Sequence, residues 1–177
     1  LYKQSHPDIA RFLERIRELT NSYGDRFTLA EVGGEHALVE MQAFTEGNRR
    51  LNSAYGFDFL YADQLTPSLV ARVAKDWPED AGWPTWAFEN HDAPRAITRW
   101  AGDEHRATFA RTKMLLLCTL RGSITIWQGE ELGLPQVDVP FERLRDPEAI
   151  ANWPQTLSRD GARTPMPWLS SASQLGF

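Results

Sequence analysis

Three short apolar runs, each ending in polar residues and separated by amphipathic stretches, constrain the fold of this chain more than any other feature. Phe27-Thr28-Leu29-Ala30-Glu31-Val32-Gly33-Gly34 is a nearly unbroken apolar run, broken by one carboxylate. Trp86-Ala87-Phe88 passes into the polar cluster Glu89-Asn90-His91-Asp92, and Gly122-Ser123-Ile124-Thr125-Ile126-Trp127 ends in Gln128-Gly129-Glu130-Glu131. Short apolar runs without alternation read as strands covered on both faces, the condition of a parallel sheet. Phe57-Asp58-Phe59-Leu60-Tyr61 is a further candidate strand, aromatic and followed by the turn-like Asp63. Strand, helix, strand, helix, strand is the α/β alternation, and parallel strands deliver all their polar ends to one side.

The helical stretches between them are legible from spacing. Pro7 to Tyr23 places Ile9, Phe12, Leu13, Ile16 and Leu19 on one face, with Ser5 or Asp8 as candidate caps and Gly24 as a stop. Leu38, Met41 and Phe44 suggest a short helix, followed by a loop over Gly47 to Asn52. Thr66-Pro67 opens a helix carrying Leu69, Val70 and Val73, and Asp76 to Pro84 reads as loop. Glu104 to Thr119 is helical, with Phe109, Ala110, Met114, Leu117 and Cys118 on its apolar side. Leu134 to Phe177 is rich in proline and turn residues, and Ser158 to Trp168 is its one compact cluster; long loops of this kind tend to be functional.

Composition narrows the class. With 177 residues, 42% hydrophobic and 24% charged, the chain is long enough for one core, and disorder is excluded. Seven tryptophans and nine phenylalanines are many for this length; core filling is the expected use for most, with sugar-facing clefts as the other. A net charge of −5 without a basic stripe argues against nucleic acid as partner. Cys118, the single cysteine, reads as a buried small hydrophobe. There is no apolar run of about 18 residues, the length a membrane span needs. Leu1-Tyr2-Lys3 does not resemble a signal peptide.

The central stretch, WAFENHDAPRAITR over Trp86 to Arg99, admits two readings: a strand delivering polar groups to a pocket, or a turn in which Asn90 and Asp92 cap the next helix. Glu31 is similarly divided between a solvent-reaching strand end and a catalytic acid. If both carboxylates face one mouth, the chemistry they suit is glycoside hydrolysis. That reaction needs a proton donor at the leaving oxygen and negative charge to support an oxocarbenium-like transition state; a retaining enzyme also needs a carboxylate nucleophile about 5 to 5.5 Å from the acid. Glu31 at an apolar strand end suits the acid, since desolvation raises a carboxyl pKa. His91 could donate hydrogen bonds to sugar hydroxyls, and Arg163 could do the same or hold a carboxylate. Other classes lack their signatures. There is no Walker or dinucleotide glycine motif, no nucleophile elbow, and His6, His36, His91 and His105 show no zinc spacing.

LAEVGG around Glu31, AYGFDFL at Ala54 to Leu60, FENHDAPR at Phe88 to Arg95, IWQGEELGLPQ at Ile126 to Gln136 and RDGARTPMPW at Arg159 to Trp168 together resemble the α-amylase superfamily, glycoside hydrolase family 13, in its α-glucosidase and oligo-1,6-glucosidase branch. The resemblance implies a (β/α)8 TIM barrel, of which this chain covers strands five to eight. Residues 1–177 would be a partial catalytic barrel domain, and 134–177 the extended segment after the last strand. It implies Glu31 as general acid/base, Asp92 as the transition-state-stabilising carboxylate, His91 as a contact to sugar hydroxyls, and Arg163 as the grip on the 4-hydroxyl of a terminal glucose. The implied enzyme is a retaining, exo-acting α-glucosidase acting on short oligosaccharides, needing no cofactor and cytoplasmic. The alternatives are a transglycosylating relative, of the sucrose isomerase or trehalose synthase type, or a non-catalytic barrel of the transporter heavy-chain type. The family's nucleophile, an aspartate ending strand four, and any structural calcium or magnesium site would lie upstream of this sequence. A barrel needs about 250 residues, so the chain by itself is expected to be inactive.

Overall fold

Four strands run parallel and follow one another in chain order: β1 (Leu29–Glu31), β2 (Ser53–Tyr55), β3 (Trp83–Ala87) and β4 (Ser123–Thr125). The structure is a computed structural model and describes residues 6–77, 82–156 and 158–177. Helices α1 (Ile9–Asn21), α2 (Ala37–Phe44), α3 (Pro67–Asp76), α4 (Ala96–Trp100) and α5 (Arg106–Thr119) alternate with the strands, and α6 (Pro147–Asn152) follows them. Parallel neighbours joined through helices are the α/β architecture that the apolar runs predict. Two compact units result. One holds the sheet, with residues drawn from 1–59, 65–87 and 119–125; the other is built from 60–64, 88–118 and 126–177.

Within the sheet unit the core is made by β2 and β3. All three β2 residues are buried, and the Ser53 hydroxyl is satisfied by the Trp83 carbonyl and by Thr85 Oγ1 at 2.7 Å, as a buried hydroxyl must be. Trp86 meets Phe59 and Trp77 edge-on, with ring centroids 5.9 and 6.4 Å away, and its Nε1 donates to the Arg121 carbonyl at 2.7 Å. That bond brings the entry of β4 so close that a Cβ on Gly122, at φ +144, would stand 2.7 Å from Trp86 Nε1 and 2.8 Å from the Pro84 carbonyl. Only glycine fits there. Thr66 caps α3, its Oγ1 accepting from Leu69 N at 3.1 Å, with Pro67 in the first turn as expected.

Several expectations need correction. The strand sought at Phe57 to Tyr61 lies earlier, at Ser53–Tyr55, and Phe57 to Tyr61 form a turn; aromatic content marked the core but not the strand. β1 is not covered on both faces. It stands at one end of the strand order, with Ala30 buried between exposed Leu29 and Glu31. β4 is half-buried throughout. The loop set at Asp76 to Pro84 is shorter, because Asp76 ends α3 and Trp83 and Pro84 open β3; residues 78–81 fall outside the described residues. Helix α1 is trimmed to Ile9–Asn21 and buries only Leu13, leaving Phe12 and Leu19 exposed. Asp8 stands at its N-cap without a capping side-chain bond, and the alternative cap, Ser5, lies outside the described residues. A 3-10 turn over Asp103–His105 takes the first residues assigned to the next helix, and Cys118 on α5 is exposed, its helix turning Lys113 and Leu117 inward instead. Aromatic burial is partial: Trp77, Trp86, Phe59 and Phe88 are buried, whereas Trp83, Trp153, Trp168, Phe12 and Phe27 are exposed.

Candidate active site

The second unit carries the loop that follows β3, which both delivers polar groups and turns on itself, though without the helix cap of the alternative reading. Phe88 is fully buried edge-on to Trp100, with ring centroids 5.4 Å apart, and Glu89 and Asn90 are buried behind it. The Asn90 Oδ1 then accepts from Asp92 N at 3.0 Å and Ala93 N at 2.7 Å, an Asx-type turn. Neither Asn90 nor Asp92 caps α4. Its first amide, Ala96 N, donates to Glu89 Oε1 at 3.0 Å, across the whole loop. Arg99 ties the same two ends, donating from Nη2 to the Phe88 carbonyl at 2.6 Å and from Nε to the Pro94 carbonyl at 3.0 Å. Burial pulls the Arg99 guanidinium down to about 10, against the opposing pull of Glu89, Glu130, Asp63 and Tyr61.

The loop so held presents His91 and Asp92. Asp92 Oδ1 accepts from Arg163 Nη2 at 2.7 Å and from Arg159 Nη1 at 3.3 Å, while His91 Nε2 lies 3.5 Å from Asp92 Oδ2. Arg163 Nε also donates to the His91 carbonyl at 2.8 Å, so one guanidinium spans both residues. Arg163 is aimed by the turn Arg159–Ala162. There Gly161 packs so tightly on the Val137 carbonyl and Gln136 that a Cβ would collide, and the Ala162 carbonyl accepts from Trp127 Nε1 at 2.8 Å. Trp127 in turn flanks the His91 ring, with ring centroids 5.9 Å apart. Three residues singled out from the sequence, His91, Asp92 and Arg163, are thus brought together. A cavity of about 510 Å³ opens beside Asp92, lined by Tyr61, Asp63, Pro94, Thr98 and Arg99 among others.

Beneath the loop lies a group that spacing did not foresee. Glu89, Arg95, Lys113 and Glu130 are all fully buried, two cations against two anions. Lys113 Nζ donates to Glu89 Oε1 at 3.1 Å and Glu130 Oε1 at 3.0 Å; Arg95 Nη1 donates to Glu89 Oε2 at 3.1 Å and the Gln128 carbonyl at 2.8 Å. Arg95 Nε and Nη2 find no hydrogen-bond partner among the described residues. A lysine inside the apolar stripe of α5, with carboxylates at two strand ends, was the signal available in the sequence. Asp146 was also missed, although Asp146-Pro147 is a helix-start pattern: its Oδ1 accepts from Glu148 N at 3.2 Å. Arg159 bonds pull the buried Asp146 carboxyl well below the usual carboxylate range, and Asp146 in turn raises Arg159.

Burial pushes Glu130 up to about 7 from 4.5, opposed by Lys113 and reinforced by Glu89. Between those two values the native state holds a proton that the unfolded chain has released, so the Glu130 contribution to stability falls as pH rises through the window. The expected loss is about 3 kcal/mol from pH 4.5 to 7, because each pH unit across that window removes about 1.4 kcal/mol. Urea unfolding of Glu130→Gln should lack this slope; parallel curves for the variant and the parent would contradict it.

Glu31, the remaining predicted site residue, ends β1 in the sheet unit, in register with Tyr55, whose carbonyl accepts from Val32 N at 3.0 Å. Its side chain is exposed, with Ala30 beside it buried. Among the described residues no group of three or more His, Cys, Asp or Glu side chains is arranged to hold a metal ion, and no helix is long and apolar enough to cross a membrane.

Comparison with known proteins decides the family. The alpha-amylase catalytic domain matches across residues 1–177. The chain belongs to the alpha-amylase family. It is 38% identical over 174 residues to a probable alpha-glucosidase of Rhizobium meliloti, a match covering 96% of this chain and 32% of that protein. An oligo-1,6-glucosidase of Heyndrickxia coagulans is 28% identical, covering 94% of this chain and 36% of its own length. Among solved structures, the alpha-glucosyl transfer enzyme XgtA superposes with a TM-score of 0.85 at 41% identity, over 93% of this chain and 31% of that one. The trehalulose synthase of Pseudomonas mesoacidophila shares the fold, with a TM-score of 0.79 at 23% identity, over 98% of this chain and 37% of that one. The fold class is therefore that of the (β/α)8 barrel, and the chain spans about a third of the length of the relatives it matches.

Proposed function

We propose that this alpha-amylase-family chain belongs to a retaining, exo-acting α-glucosidase that hydrolyses or transfers terminal α-linked glucose from short oligosaccharides. The observation that carries the reading is the contact of Arg163 Nη2 with Asp92 Oδ1 at 2.7 Å, beside His91. It joins the two segments, FENHDAPR and RDGARTPMPW, that most resemble the family's sugar-binding motifs. Asp92 supplies the negative charge that supports the oxocarbenium-like transition state, and Glu31 protonates the departing oxygen and later deprotonates the water or acceptor sugar. His91 and Arg163 donate to hydroxyls of the terminal glucose, with Arg163 at the 4-hydroxyl; a grip on that group blocks a longer chain and makes the attack exo. The nucleophile is placed upstream of this sequence, on the aspartate that the family resemblance implies. The single cysteine and the family support a cytoplasmic location.

The 41% identity to an alpha-glucosyl transfer enzyme supports transfer as the second reading. Incubating the polypeptide that carries this sequence with maltose, isomaltose and sucrose separates the two. Hydrolysis of sucrose releases its one glucose in the α-anomeric form, seen by proton NMR before mutarotation, whereas transfer builds longer or isomeric sugars. β-Glucose as the first glucose released from sucrose, whose other half leaves as fructose, would overturn retention.

A further inference from the structure

We propose, on the reading of Asp92 given above, that Arg159 positions the Asp92 carboxylate and that buried Asp146 serves to aim Arg159. The Asp146 side chain is fully buried and takes four N–H groups: Arg159 Nε at 2.8 Å, Arg159 Nη2 at 2.5 Å, Arg159 N at 3.1 Å and Glu148 N at 3.2 Å. The grip is returned, since Asp160 Oδ2 accepts from Arg145 N at 2.7 Å and Asp146 N at 2.9 Å. Residues 145–148 and 158–160 are therefore cross-bonded in both directions. The turn they frame begins at Ser158 with φ +53, a conformation a non-glycine residue keeps only where its surroundings enforce it. With Nε and Nη2 both spent on Asp146, the guanidinium offers Nη1 to Asp92 Oδ1, 3.3 Å away.

What this adds to Arg163 is orientation. Rotation of an aspartate carboxylate about its last torsion is soft, and one hydrogen bond leaves its plane free to turn. Arg163 and Arg159 approach the same oxygen from residues four apart, so Oδ1 is pinned and Oδ2 is the oxygen left to face His91 and a ligand. Arg159 is aimed from a buried carboxylate, whereas Arg163 is anchored on the exposed His91 carbonyl. A lysine could hold Asp146 or Asp92 but not both, because it lacks the planar fork.

The test is steady-state kinetics on maltose with the polypeptide that carries this sequence, in three variants: the neutral pair Asp146→Asn/Arg159→Gln, Arg159→Lys, and Asp92→Asn. For the first two, kcat should fall about 10- to 100-fold with KM within about threefold, the signature of a misplaced group in a site that still binds. A neutral pair with kcat within threefold of the parent, while Asp92→Asn abolishes turnover, overturns the proposal and leaves the assignment of Asp92 intact. Should the neutral pair not fold, full kcat in Arg159→Lys overturns it equally. Unchanged turnover in Asp92→Asn instead overturns the underlying assignment.

Discussion

Glutamine in place of Glu31 is expected to lower kcat/KM on maltose by about 10²- to 10⁴-fold in the polypeptide that carries this sequence, the usual range for a lost general acid–base group. Glutamine keeps the size of the side chain and cannot give up a proton, so binding through His91 and Arg163 should persist and the loss should fall on kcat. The leaving group supplies the diagnostic. A nitrophenyl α-glucoside loses its aglycone as a stable phenolate that needs little protonation, so the glycosylation step should lose far less with that substrate than with maltose. Equal losses on both substrates would mean that Glu31 holds structure or substrate and does not transfer a proton. Unchanged turnover on maltose would remove it from the mechanism and favour the non-catalytic reading of the barrel.

The order of elements was legible because it rests on local signals. Pro67 in the first turn of α3, Thr66 as its cap and the apolar run through Trp86 act within a few residues, and all are realised. The failures come from burial, which a single sequence does not encode. Glu31 reads as desolvated because its neighbours in the chain are apolar, whereas in β1 Ala30 is buried and Glu31 is exposed. Phe57 to Tyr61 reads as a strand by composition, while the less apolar Ser53–Tyr55 is the buried one; pairing with β1 and β3 on either side decided it. At the site, Asp92, His91 and Arg163 could be named from their motifs. Lys113, Glu130 and Asp146 could not, because their roles arise from partners 13 to 24 residues away or beyond an intervening helix. Lys113 in particular sits where helical periodicity predicts an apolar side chain, and only its two carboxylate partners explain it.

Removing that lysine should be strongly destabilising. Lys113→Met keeps the length and the apolar stem, but leaves Glu89 and Glu130 buried together with Arg95 as the remaining cation of the group. Breaking a buried ion pair by deleting one partner costs about 3–5 kcal/mol, a large share of the roughly 5–15 kcal/mol that holds a domain folded. The loss should depend on pH in a stated direction. In the parent Glu130 is ionised above about 7 and held by Lys113, so removing the lysine costs most there; near pH 5 the parent's Glu130 already carries its proton and the penalty shrinks. A second change separates charge from packing. Lys113→Met/Glu130→Leu removes a cation and an anion together and leaves Glu89 paired with Arg95, so it should recover most of the stability, because an apolar pair commonly replaces a buried ion pair without loss. Urea midpoints for the parent, the two single variants and the double close a thermodynamic cycle. A Lys113→Met loss below about 1 kcal/mol at pH 8, within the range of exposed ion pairs, would show that the buried charges under the His91–Asp92 loop do not depend on this lysine.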